Sequence, residues 1–352
     1  MNIAQQKNWI NLGKFIAITA VIVDHSPALH TTPYVQLLSF FSVSLFILLS
    51  GITSYYSCER HFSENKLKEI FRRLCTTLVP YVIATAIYQF INNKIFDFSI
   101  FWYNIFNFNA SPPFYFILFY IQLIIISPFL FDLIRLINSK KHPLLIHSFL
   151  IFFGGGGSTL LIKFTKFPGI YGGGGYLFGG TFLLLFYIGM FFASLKIQIK
   201  TKKVSILITL FSAILLILWG VFITHNNFKL DAIFPFGYGK NPPGISLMIY
   251  ALSVGTFIFC ISSLIEITEN KIFLKVIEIF SFYGRYTLYI FLYHYAFGVI
   301  INKFIISIGG MLEFEKWILF EFMLFGPIIL GYLFEKIKNI YKNAILKVSY
   351  NS

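Results

Sequence analysis

The sequence predicts an all-α, polytopic integral membrane protein: a helical bundle of about ten transmembrane helices forming a single domain over 1–352, with both termini cytoplasmic. Three observations carry this. The 352 residues are 57% hydrophobic and only 12% charged, against roughly 25% charged in an average soluble domain, and the mean hydropathy is +0.76. Apolar residues fall in long runs between short polar hinges, as at Phe15 to Val23, Phe114 to Ser127 and Thr181 to Ser194. Each run with its flanks approaches the ~20 residues a spanning helix needs. Finally, the hinges alternate between rich and poor in Lys and Arg.

In chain order the spans are expected at 9–29, 35–57, 74–92, 113–134, 144–162, 176–195, 204–224, 244–265, 283–302 and 317–334. With the N-terminus inside, 21 of the 28 Lys and Arg fall on cytoplasmic hinges and helix ends, so an even number of spans fits; losing one would invert the later loops. The net charge of +14 is therefore read as membrane sidedness, and no nucleic-acid partner is expected. Lys14 interrupts the first apolar run, and Asp24-His25-Ser26-Pro27 offers no small-residue cleavage site, so the first helix is expected to be retained. Cys58, Cys75 and Cys260 are odd in number and lack metal-ligand spacing, which argues against a disulfide framework and against a metal site.

The external hinges are rich in Asn, Pro, Tyr and Gly: Asn104 to Pro113, His225 to Pro243, and Gly154 to Gly180. They read equally as turns or as the walls of a vestibule. Within the last, Gly154 to Gly157 and Gly172 to Gly175 are costly in a helix, about 1 kcal/mol per glycine against alanine. That stretch reads as an engineered linker or an irregular hinge.

An ionisable residue inside a span costs roughly 2.5 to 3.5 kcal/mol on insertion scales and is a functional candidate by default. The first span carries Lys14, Asp24 and His25; the ninth carries Arg285 and His294. Lys14 and His25 are three turns plus about 20° apart, so they share a helix face at a separation of about 16 Å. Lys14 reads either as an inward cation or as a side chain snorkelling to the interface. His25 reads either as a general base or as a histidine satisfied in a helix contact. Asp24, a quarter-turn away, either orients a neighbouring imidazole or caps a loop. Ser50-Gly51 lets another helix or a ligand approach the backbone closely. Lys66, Lys68, Arg72 and Arg73 run into Val79-Pro80-Tyr81 and either mark the inside or bind phosphates. Arg285 and His294, about 180° apart, cannot face one cavity unless the helix breaks. The stripe Tyr286, Tyr289 and Tyr293 is read as helix packing.

Lys14 with His25, then Ser50-Gly51, then basic residues leading into Val79-Pro80-Tyr81, together resemble the membrane acyltransferase-3 family. Phe114 to Tyr120 leading to Ser127-Pro128, Phe186 to Met190, and Gly284 to His294 resemble further segments of that family, in order, over about residues 7–335. The resemblance implies an enzyme that moves an acyl group, acetyl or succinyl, from cytoplasmic acyl-CoA as co-substrate to a hydroxyl of a cell-surface or exported carbohydrate. No permanently bound cofactor is implied. His25, as general base, and Asp24 would be the catalytic residues; Lys14, Lys68, Arg72, Arg73 and Arg285 would bind acyl-CoA. Ser50, Gly51, Tyr115, Tyr289 and His294 are assigned to cavity walls and packing. The chain departs from the family where Thr76 follows Arg73 in place of a second arginine, and where Thr287 stands for serine. The implied partners are the acyl donor, the carbohydrate acceptor and the lipid bilayer, with oligomerisation left open. The alternative is a transporter for a polysaccharide or lipid-linked sugar, although no paired halves or matching broken helices are visible. A sensor or scaffold would not need Lys14 and His25 on one face.

Overall fold

Twelve α-helices and no strands make up the described residues of the computed structural model, which are 3–26, 35, 39–61, 65–93, 95–164, 182–199, 201–225, 243–307 and 313–351. They are α1 (Ile3–His25), α2 (Ser42–Arg60), α3 (Lys66–Asn93), α4 (Phe98–Asn107), α5 (Tyr115–Asn138), α6 (Pro143–Phe164), α7 (Phe182–Ser194), α8 (Lys202–His225), α9 (Ile245–Thr268), α10 (Lys271–Gly284), α11 (Thr287–Ser307) and α12 (Glu313–Asn351). One 3₁₀ turn, Pro112–Phe114, leads into α5.

Among the described residues, six helices are long and apolar enough to cross a membrane: α3, α5, α8, α9, α11 and α12. The shorter apolar helices are Pro143–Gly154 and α7. Two more of the expected spans correspond to α1 and α2, whose sequences are more polar for a reason the packing supplies. α1 packs against α2, α9, α10, α11 and α12, and α2 against α1, α5, α7 and α9. Helices enclosed by other helices need no lipid-facing apolar surface, and Ser42, Ser44, Ser50 and Ser54 of α2 are all buried. α8, by contrast, is apolar on nearly every side, with Leu207, Phe211, Ile217 and Val221 exposed.

Two helices were not expected. α4 and α10 have 10 and 14 residues, about 15 and 21 Å, too short to span the ~30 Å hydrocarbon core. Asp97 caps α4 by accepting from the Ser99 and Ile100 amides at 2.7 and 3.1 Å, and Asn270 caps α10 by accepting from Ile272 and Phe273 at 3.2 and 3.3 Å. Both expose aromatic and aliphatic residues, Trp102 and Phe106 on α4 and Ile272 and Phe273 on α10, in the manner of helices lying along a membrane surface. The expected span 283–302 is corrected accordingly: α10 ends at Gly284, a turn follows at Arg285–Tyr286, and the next helix starts at Thr287.

Gly154 to Phe164, the described part of the glycine-rich stretch, continues α6; 165–180, including Gly172 to Gly175, lies outside the described residues, as does 226–242 of the hinge after α8. The hinge Asn104 to Pro113 is pinned to α3, because the Tyr81 hydroxyl reaches the carbonyls of Asn104 and Ile105 at 3.2 and 3.0 Å and the Phe108 ring stacks on Tyr81.

Contacts collect the basic residues at one end of the bundle. Ser281 donates to the Asn8 carbonyl, Glu69 of α3 takes Ser57 of α2, Lys66 pairs with Asp132 of α5, and Lys196 pairs with Glu59 at 2.8 Å. The Glu59 carboxylate, bonded to Lys196 outside the spans, holds that ammonium above its ordinary pKa. Tyr286 donates to Glu335 of α12 at the same end.

Gly51 and Gly189 let α2 and α7 cross in backbone contact. A Cβ at Gly51 would lie 2.2 Å from the Phe186 carbonyl oxygen, and one at Gly189 would lie 2.1 Å from that of Leu48. Gly51→Ala and Gly189→Ala should therefore each lower unfolding stability in detergent by about 1–3 kcal/mol. The double variant should lose less than the sum, because one separation of the helices relieves both clashes. Full additivity in thermal unfolding would contradict this geometry.

Candidate functional site

The face of α1 that carries Lys14 and His25 also carries Ile18, Val21 and Ile22, exposed by 0%, 6% and 0%. Five helices pack on α1, and on this face those three residues are buried between Lys14 and His25, which are each half-buried.

At the basic end, Arg73 is positioned by helix irregularity. Pro128 lacks an amide hydrogen, which leaves the Ile124 carbonyl without its helical donor. The Ser127 hydroxyl fills the gap, donating to Ile124 at 2.8 Å, and its oxygen accepts from Arg73 Nη1 at 2.6 Å. Arg73 Nη2 donates to Ser54 of α2 at 2.5 Å. The guanidinium thus joins α2, α3 and α5 through neutral hydroxyls, and it lies close enough to Lys14 to act on it electrostatically.

Arg72 sits differently. It pairs with Glu69, which is buried and also accepts from Ser57 at 2.7 Å. Lys66 pairs with Asp132, and Lys68 is exposed on the same helical turn. Arg285 is exposed in the turn between α10 and α11, its guanidinium 4.8 Å from the Phe282 ring centre. With Lys271, Lys275, Asn8 and Asn11 it lines an open groove of about 580 Å³ beside the start of α1. The helix break places Arg285 at the surface while His294 lies inside, so the two do not meet.

At the far end of the buried face, His25 meets His294. Their ring centres are 5.4 Å apart with a 39° tilt, and Tyr295 stands edge-on to both at 6.0 and 6.2 Å. His294 is fully buried; its Nδ1 lies 3.1 and 2.8 Å from the carbonyl oxygens of Ile290 and Phe291. The Asp24 carboxylate accepts from Ser39 at 3.1 Å, which ties the end of α1 to the segment before α2.

The remaining predicted residues pack. Ser50 is buried beside Gly51 at the α2–α7 crossing. Tyr289 stacks on Phe334 of α12, and Tyr115 lies 6.0 Å from Phe119 within α5. Tyr286, Tyr289 and Tyr293 pack against different neighbours: the first two meet α12, and Tyr293 donates to the Pro80 carbonyl of α3 at 3.2 Å. Sequence reasoning missed Tyr88, whose hydroxyl donates to the Leu292 carbonyl and accepts from the Ala296 amide at 3.1 and 3.0 Å, bracing the turn that bears His294. The one available signal was a tyrosine in an apolar span, whose hydroxyl must find a partner when buried. Among the described residues no group of three or more His, Cys, Asp or Glu is placed to hold a metal ion.

A helical bundle with cations gathered at one end and, deeper in the bundle, the His25 ring of α1 beside the His294 ring of α11 defines a membrane protein with an internal polar site. The chain belongs to the acyltransferase-3 family, whose acyltransferase domain matches residues 7–336. No curated protein and no solved structure matches it. The family makes this a membrane acyltransferase and gives no support to the transporter alternative.

The Arg73 clamp predicts a coupling. Ser127→Ala strips the Ile124 carbonyl and Arg73 of a partner and should cost about 1–3 kcal/mol. In a Pro128→Ala background the backbone amide gained at position 128 can serve Ile124, so the same substitution should cost less, as a double-mutant cycle in detergent would read. Equal costs in both backgrounds would contradict the account of Ser127-Pro128.

Proposed function

We propose that the protein is an acyl-CoA-dependent O-acyltransferase that draws acyl-CoA from the basic, cytoplasmic end of the bundle and acylates a carbohydrate hydroxyl at the cell membrane. One observation supports this above the rest: a single enclosed face of α1 carries Lys14, beside Arg73, and three turns deeper carries His25. That separation, about 16 Å, is of the order of an extended pantetheine arm, which links the phosphates of CoA to its thioester. Phosphates held by Lys14 and Arg73 would place the acyl carbonyl at His25.

Lys14 and Arg73 suit an anion because, among the described residues, neither forms a salt bridge. Arg72 and Lys66 are spent on Glu69 and Asp132. Arg285 and Lys68 are placed to attract the donor at the entrance. In the reaction, the acceptor oxygen attacks the thioester carbonyl as His25 takes the hydroxyl proton. Collapse of the tetrahedral intermediate breaks the carbon–sulfur bond, and the departing thiolate recovers the proton from His25. No covalent enzyme intermediate is needed. Acetyl or succinyl as the acyl group, and a carbohydrate as acceptor, follow from the family resemblance.

Purified protein in detergent, given radiolabelled acetyl-CoA and carbohydrate acceptor, should transfer label. His25→Ala should reduce transfer by about 10²–10⁴-fold while binding CoA as tightly as wild type. Transfer retained in that variant would remove His25 as the base. Arg73→Ala should weaken CoA binding, and its log Kd should rise less steeply with log salt than that of wild type, because one ionic contact is gone. Equal affinity and slope would remove Arg73 from the donor site.

A further inference from the structure

His294 is fully buried, and its hydrogen bonds fix its chemical state. The two groups at Nδ1 are carbonyl oxygens, which only accept, so Nδ1 carries a hydrogen. A hydrogen on Nε2 as well would leave a charged ring with a buried, unpartnered donor. The ring is therefore the neutral Nδ1–H tautomer, and Nε2 presents a lone pair. That lone pair has no partner among the described residues. A buried acceptor left unmet is costly and calls for an explanation.

The neighbouring polar ring is His25, at 5.4 Å between centres. Two imidazoles joined by a hydrogen bond of about 3 Å, with one ring radius at each end, have centres close to this distance. His25 is half-buried, at the last residue of α1, where a side chain can swing through the 39° between the ring planes.

We infer that His294 is a positioning residue: its Nε2 accepts an N–H from His25, which fixes the His25 tautomer and presents the other His25 nitrogen, unprotonated, to the acceptor hydroxyl. This rests on His25 as the base. His294 gains and loses no proton; the hydroxyl proton passes to the other ring nitrogen of His25 and from there to the CoA thiolate. A neutral nitrogen acceptor here does the orienting that a carboxylate does elsewhere. Asp24 accepts from Ser39, which ties the end of α1 to the segment before α2. Tyr88 keeps the His294 turn in place from the other side.

The test is long-range ¹⁵N–¹H correlation of ¹⁵N-histidine-labelled protein in detergent, with His25 assigned by its loss in His25→Ala. In wild type His25 should occupy a single tautomer. His294→Phe should convert it to a mixture and lower kcat by about 10–100-fold at unchanged KM for acyl-CoA. His294→Gln, which keeps a carbonyl acceptor, should retain most of both. A mixed tautomer in wild type overturns the proposal even if His294→Phe does not fold, as does an unchanged tautomer or an unchanged kcat in that variant. Tautomer loss in Tyr295→Phe but not in His294→Phe would assign the role to Tyr295 instead. If His25→Ala still transfers acyl groups, the base assignment fails, while the tautomer result still reports whether the two rings are bonded.

Discussion

Arg73 held between Ser54 and Ser127 is the interaction on which the arrangement of the site depends. A guanidinium drawn partly into a helical bundle needs its hydrogens satisfied, and here the two partners come from different helices, α2 and α5. The clamp therefore fixes where the start of α3 stands against the rest of the bundle. It also leaves the guanidinium without a carboxylate partner among the described residues, since hydroxyls satisfy hydrogen bonds without cancelling charge. With Lys14 beside it, the result is a local excess of positive potential facing an enclosed helix surface. An anion entering there gains more than it would at a solvated lysine cluster.

The second constraint is the enclosure of α1. A helix packed against five others can carry Lys14, Asp24 and His25 because its neighbours supply much of their surroundings. The same enclosure converts helical periodicity into a ruler: residues eleven apart share a face, and the structure keeps that face buried between them. Cation and imidazole are thus held at a set distance by one rigid element, which is the condition for positioning the two ends of a long substrate.

The bundle was legible in the sequence because hydropathy reports lipid contact directly, and α3, α5, α8, α9, α11 and α12 face lipid enough to show it. α1 and α2 were found despite weaker hydropathy. α4 and α10 were not, because helices this short are invisible to a search for spans; Asp97 and Asn270, as N-caps before aromatic-rich stretches, were the signals available. The break at Arg285–Tyr286 had no proline to mark it, so the expected span 283–302 took in the last two residues of α10. Of the site, the shared face of Lys14 and His25 follows from periodicity alone. That Ser127 would receive Arg73, or that His294 would sit against His25, depends on pairings of helices distant in sequence, which a single chain without partners to compare does not reveal.

The central claim is that acyl-CoA enters from the end of the bundle where α1 begins and meets His25 from that side. Proteoliposomes containing the protein in one orientation, established by protease access to an N-terminal tag, would test it most directly. Acyl-CoA supplied on the side of the tag should support transfer to an acceptor, and acyl-CoA confined to the opposite side should not. Transfer driven only from the opposite side would contradict the account.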